Sequence, residues 1–218
     1  AEKKLSELVA LHKSGVHGMN WYEKTAAWAK QYYGEDADTM LGFLAATSAD
    51  GATESGAVMA IKAYTQWKAG MPFEGFKGPS VVKQLTEVAS GKPLPEFSKI
   101  KNFWDALRGD PNAVVIDRWM IAALNLKLTG GSLSPTNYRI YEQTIRTLAK
   151  KANMSPRQYQ AAVWEGARIA KAHVAEAKGG RAMTVKSGSA YPFEDLVQRK
   201  LGGMTHEEYG QKALGGLV

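Results

Sequence analysis

The stretch from Lys99 to Met120 places the strongest constraint on what this chain can fold into. It reads as a short helix opened by lysines, a turn around Gly109 and Pro111, a small apolar run and then Asp117 at the start of the next helix. An acid at a helix start is held by the first backbone N–H groups of that helix. The rest of the chain therefore has to form a scaffold that keeps Asp117 in place.

Helical periodicity and capping residues recur along the whole chain. In the second predicted helix, Trp28 and Tyr32 are core candidates, and further along Ser155 and Gln158 form a capping-box pattern. No stretch has the pattern of a multi-stranded sheet, so the sequence predicts an all-α protein. The predicted helices span residues 2–13, 21–33, 39–47, 53–69, 79–89, 99–107, 118–126, 135–152, 156–177, 193–201 and 205–214.

Composition excludes several classes of function. The 218 residues include no cysteine, which rules out disulfides, thiolate nucleophiles, cysteine-ligated zinc and iron–sulfur clusters. The 4 histidines are scattered without a metal-ligand spacing, so we expect no metal and no cofactor. A net charge of +7 favours a polyanionic partner, nucleic acid first. With no apolar span and no signal-peptide core, we expect a cytoplasmic monomer that does not contact a membrane.

The composition changes after residue 178, where glycine-rich and basic segments follow the last long helix. We therefore predict a helical domain over residues 1–178 and a basic C-terminal extension with short helices over 179–218. Within the helical domain, residues 80–107 form a helix, a tight connection and a second helix. The acid-bearing segment follows at residues 109–120.

This order of features resembles the helix-hairpin-helix DNA glycosylase superfamily. The hairpin region corresponds to Ser80–Leu107, with Leu94-Pro95 at its connection, and the Gly/Pro loop to Gly109-Asp-Pro111. Asp117 stands where that superfamily carries its essential acid. Lys99 falls where the bifunctional members carry a Schiff-base lysine. The pattern is also similar to small glycosylase-like proteins that bacteriophages encode.

The resemblance implies a two-lobed helical fold with a cleft between its subdomains, in which double-stranded DNA binds and a flipped base is processed. Asp117 would stabilise a developing sugar cation, and its helix-end amides are predicted to lower its pKa and keep it ionised. Lys99 would be the catalytic amine of a lyase step. The candidate base-pocket residues are Trp104, Trp119, Tyr138, Trp164 and Ser48. The candidate DNA-binding residues are Lys101, Arg118, Lys171, Lys178, Arg181 and Lys186.

The sequence departs from the superfamily pattern at the hairpin connection. Pro95-Glu-Phe-Ser98 stands where glycines usually bring backbone amides up to a DNA phosphate, and Glu96 would repel that phosphate. We therefore expect phosphate contacts from lysines and from the basic tail instead.

Three functions remain open at this point. The first is a DNA glycosylase, with or without lyase activity. The second is a transferase that adds amines or amino acids to modified pyrimidines on the same fold, with Asp117 activating the incoming amine. The third is a non-catalytic DNA-binding or host-interaction protein. A helical scaffold unrelated to DNA is the plainest alternative.

Overall fold

The computed structural model describes residues 2–16, 19–48, 53–123, 133–177 and 193–215. Across these ranges the secondary structure is helical, with no strand, which confirms the predicted all-α class. The helices in these ranges are α1 (Glu2–Gly15), α2 (Trp21–Tyr33), α3 (Ala37–Thr47), α4 (Thr53–Lys68), α5 (Pro79–Ala89), α6 (Lys99–Arg108), α7 (Arg118–Ala123), α8 (Pro135–Lys151), α9 (Pro156–Ala177), α10 (Phe193–Leu201) and α11 (His206–Gly215).

Capping residues explain why the predicted and observed helix ends agree closely. Ser98 and Ser134 accept hydrogen bonds from the backbone N–H groups three residues ahead, at the starts of α6 and α8. The capping box is confirmed, because the Gln158 side chain accepts from the Ser155 N–H and the Ser155 Oγ accepts from the Gln158 N–H. Gly109 ends α6 in the left-handed conformation, at φ 108°.

The contacts divide the chain into two compact units. The first unit contains residues 1–24 and 96–191, and the second contains residues 25–95 and 192–218. The two helices of the predicted hairpin region therefore fall in different units, α5 in the second and α6 in the first. The described part of the predicted C-terminal extension, α10 and α11, packs on α4 within the second unit.

The second unit is built around α3, whose residues from Met40 to Ala46 are all buried. Helices α4 and α5 pack against it. Trp28 is buried and contacts Phe193 edge to face, with ring centroids 5.3 Å apart, which ties α10 to α2. The prediction that Tyr32 is a core residue is wrong. It is 42% exposed, because its hydroxyl reaches towards the Glu194 carboxylate at the surface.

The first unit depends on a close crossing of α1 and α9. Gly15 on α1 faces the Ala162 backbone, and Gly166 on α9 faces the Leu11 backbone, so a Cβ on either glycine would collide with main-chain atoms. This contact lets the two helix backbones approach closely. Helices α7 and α8 also pack on α9. Helix α9 is thus the element on which the acid-bearing segment is assembled.

We predict that Gly166→Ala destabilises the first unit by about 1–3 kcal/mol, because the added methyl group meets backbone that cannot rotate away. Urea unfolding followed by tryptophan fluorescence measures this change. Gly215→Ala is the control, since a Cβ there meets open space. Equal stability of the two variants would contradict the close crossing.

Candidate active site around Asp117

The apolar run from Ala113 to Ile116 is extended chain whose four residues are all buried. Tyr138, on α8, fixes this run. Its hydroxyl donates to the Val114 carbonyl at 2.8 Å and accepts from the Ile116 N–H at 3.2 Å. A buried non-helical segment needs such partners for its backbone groups. Tyr138 therefore sets the position from which the chain enters α7.

Asp117 follows this run and caps α7. Its Oδ1 accepts from the backbone N–H groups of Trp119 and Met120, each at 3.0 Å. Its Oδ2 accepts from the Trp164 indole Nε1–H of α9 at 2.9 Å. A carboxylate oxygen accepts two hydrogen bonds. Within the described part of the chain, Oδ2 has this one donor and keeps a second acceptor position.

Aromatic rings pack behind Trp164. Trp21 lies 5.7 Å from it, between ring centroids, and also contacts Phe103 of α6. Tyr22, on the next position of α2, is buried and donates from its hydroxyl to the Gln160 Oε1 at 2.6 Å. Rings from α2 and α6 thus pack together behind the Trp164 indole, whose N–H bonds to Asp117.

Burial dominates the electrostatics of Asp117. It raises the pKa of the carboxyl above its ordinary value of 3.8, while the bonds from Met120, Trp164 and Trp119 and the positive charge of Lys99 pull that pKa down. The prediction of a lowered pKa is therefore wrong. The helix-end amides are present as expected, but the loss of water around the charge outweighs them.

Two tyrosine hydroxyls lie within electrostatic reach of Asp117. Burial raises the pKa of Tyr22 and of Tyr138 well above the ordinary value, and the negative charge of Asp117 adds to both shifts. Both residues therefore keep their protons and remain hydrogen-bond donors.

Lys99, the first residue of α6, is partly buried, and its positive charge favours the ionised form of Asp117. The structure thus brings together Asp117, Lys99, Trp164 and Tyr138 from the set predicted by sequence. Trp119 lies partly buried on the first turn of α7, beside the acid.

The remaining predicted pocket residues lie in other surroundings. The Trp104 ring stacks with the Arg108 guanidinium, 4.4 Å from its centroid. Ser48 belongs to the second unit and donates to the Ala45 carbonyl. The hydroxyl of Tyr138 is hydrogen-bonded to backbone groups of the buried apolar run, and these bonds hold that run in position.

Among the predicted DNA-binding residues, Lys101 forms an ion pair with Asp105 at 2.6 Å. The other predictions concern residues or side chains outside the described part of the chain, namely Arg118, Lys171, Lys178, Arg181 and Lys186.

Sequence reasoning missed Tyr22, Gln160 and Trp21 as parts of this site. Tyr22 and Gln160 are 138 positions apart, so no local pattern links them. The available signal was the adjacent pair Trp21-Tyr22 at a helix start, which presents two aromatic faces.

No group of three His, Asp or Glu side chains in the described ranges has the arrangement of a metal site. None of the helices in those ranges has the length and apolar composition that crossing a bilayer requires.

Residues 9–171 match a family of unknown function, DUF7178. The chain belongs to the DUF7178 family. The matched range contains the whole described environment of Asp117, from Trp21 on α2 to Trp164 on α9. No curated protein and no solved structure gave a significant match.

We predict that Tyr138→Phe lowers the free energy of unfolding by about 1–3 kcal/mol, because it leaves buried backbone groups of Val114 and Ile116 without their partner. Urea denaturation gives this value directly. Tyr141→Phe, on the same helix and partly exposed, is the control and should change stability by far less. A neutral Tyr138→Phe would mean that the hydroxyl does not hold the run.

Proposed function

We propose that this protein is a DNA base-processing enzyme of the DNA glycosylase type, with Asp117 as its catalytic carboxylate. The proposal includes a two-lobed fold of the helix-hairpin-helix glycosylase kind. The proposal rests on the hydrogen bonds and charges that surround Asp117. Its carboxylate is fixed by the start of α7 and by the Trp164 indole, has a raised pKa and lies in the field of Lys99.

A carboxylate with a raised pKa is a stronger base than an ordinary aspartate. In base release, a water molecule attacks C1′ of the sugar and the N-glycosidic bond breaks, with its electron pair leaving on the base. Asp117 would take the proton from that water through Oδ2. Its negative charge would also stabilise the positive charge that develops on the sugar.

Lys99 supports a lyase variant of the same reaction. Its amine would attack C1′ in place of water and form a Schiff base with the sugar after the base leaves. The amine must lose a proton before it attacks, and Asp117 is a group of suitable charge to accept it. Proximity of the two charges is the feature that favours this pairing.

The partly exposed rings in this unit suit recognition of a flipped base. Trp119 stands beside the acid on α7, and Trp104 is partly exposed on α6. An extruded base needs a flat apolar surface on which to stack. Trp164 has a different part in this proposal, because its Nε1–H orients Asp117.

A transferase is the second candidate, and the raised pKa of Asp117 also favours it. A base that can deprotonate water can equally deprotonate an incoming amine, which would then bond to a carbon substituent of a modified pyrimidine as a leaving group departs. The product would be a heavier nucleoside with its glycosidic bond intact. Product mass therefore separates the two reactions.

We predict that Asp117→Asn lowers the rate of product formation at least about a hundredfold, because the amide cannot accept the proton. The substrate is a set of duplexes with deaminated, oxidised, alkylated or hydroxymethylated bases. Abasic sites and nucleoside masses are the measured quantities. Asparagine still accepts from the α7 amides, so unfolding measurements should show a retained fold.

Asp195→Asn is the matched control, since Asp195 is an exposed acid of the second unit that takes no part in the proposed site. It should keep full activity. Borohydride added to the same reactions would trap a covalent DNA adduct that Lys99→Gln loses if the lyase step occurs. Full activity of Asp117→Asn, or no product from any substrate, would overturn the catalytic role.

A further inference from the structure

One face of α8 presents three cations, two of which have no ion pair within the described part of the chain. Arg139, Arg146 and Lys150 follow one another at intervals of seven and four residues, so they align along one side of the helix. We call these three residues the α8 cation row. Arg139 and Lys150 are exposed and form no ion pair within the described part of the chain. Arg146 donates to Glu142 at 2.7 Å, yet its side chain is 32% exposed.

Several other cations of the same unit have acidic partners. Lys101 and Arg108 share Asp105, Arg157 pairs with Glu23, and Arg168 pairs with Glu165. These acids lie on other helices, whereas on α8 Glu142 is paired with Arg146. The positive potential along α8 can therefore attract an anionic ligand.

The C-terminal half of the row borders a cavity of about 460 Å³ at the turn between α8 and α9. Arg146, Lys150 and Asn153 contribute side chains to its lining, with Met154, Ser155 and Pro156. Ammonium, guanidinium and amide N–H groups are donors, which suit phosphate oxygens. No carboxylate lines this cavity.

Arg146 also borders a second, open cavity of about 180 Å³, which is lined by α6, α8 and the residues on both sides of α6. Glu96, Asp110 and Asn102 offer oxygen acceptors there. Carboxylates would repel a phosphate, but they accept hydrogen bonds from the amino groups on base edges. The two neighbouring cavities therefore suit the two different parts of a nucleotide.

Phe97 gives the second cavity an aromatic surface. It lines the cavity, is 37% exposed and has a φ of 54°. A bulky side chain in the left-handed region is strained, and such strain persists where the surroundings or a function require it. An exposed ring in this position offers a face on which an unpaired base can stack.

We propose that this face binds an unpaired stretch of a DNA strand. Phosphates lie along the α8 cation row and in the larger cavity, and one base stacks on Phe97 in the smaller cavity. Stacking on a protein ring requires a base whose face is uncovered, which a closed duplex does not offer. The choice of DNA rests on the proposed function, whereas the binding surface is independent of Asp117.

Fluorescence anisotropy with a labelled single-stranded oligonucleotide tests the row. Arg139→Gln combined with Lys150→Gln removes two charges that have no ion pair in the described ranges. Lys30→Gln combined with Lys92→Gln removes two exposed charges from the second unit and is the matched control. The plot of log affinity against log salt should become less steep by about 1.4 in the α8 variant, and remain unchanged in the control.

Phe97→Gly tests the stacking contact separately. Glycine adopts this backbone conformation without strain, which offsets part of the packing lost with the ring, so urea unfolding should show that the variant is folded. Its affinity for the single strand should fall roughly five- to a hundredfold with the salt slope unchanged. Phe97→Tyr keeps the ring and should bind as the wild type does.

Three results would overturn this proposal. They are equal salt slopes for the α8 variant and its control, an affinity for duplex as high as for the single strand, and binding to phosphatidylserine vesicles that competes with the oligonucleotide. Asp117→Asn should bind the single strand normally. Full activity of Asp117→Asn would overturn the enzymatic proposal and leave the binding proposal untouched. Unchanged binding by the α8 variant would overturn the binding proposal, whatever the activity of Asp117→Asn.

Discussion

The hydrogen bond from the Trp164 indole to the Asp117 carboxylate is the interaction on which the candidate site depends. It joins the longest described helix, α9, to the extended run that leads into α7. A carboxylate taken out of water is costly unless donors surround it. Two backbone N–H groups and one indole N–H supply those donors here. The ring contact between Trp21 and Trp164 and the close crossing at Gly166 keep that indole in place.

The same arrangement determines how readily Asp117 accepts a proton. The helix-end amides and Lys99 favour the charged carboxylate, and burial favours the neutral one. Because burial is the larger effect, Asp117 sits closer to accepting a proton than a surface aspartate does. An aspartate that served only to cap α7 would gain nothing from this burial. The second acceptor position of Oδ2 is where a substrate proton would be received.

Local features could be predicted from the sequence, and long-range ones could not. Ser98, Ser155 and Gly109 fix helix ends through short-range hydrogen bonds and backbone conformation, so the helices were predictable. Asp117 was predictable as a helix cap for the same reason. The direction of its pKa shift was not predictable, because that shift depends on the long-range packing around the carboxyl. Trp164 was predicted to stack on a base; the structure gives its N–H to Asp117, and the stacking role stays a prediction.

Base catalysis requires that Asp117 be a partly buried carboxyl that responds to DNA. Carbon-13 NMR of its side-chain carboxyl, titrated with pH in the presence and absence of an oligonucleotide, measures this most directly. We expect the pKa of the Asp117 carboxyl to lie above the ordinary value of 3.8 and its resonance to change when DNA binds. A pKa at or below 3.8, with a resonance that DNA leaves unchanged, would contradict it.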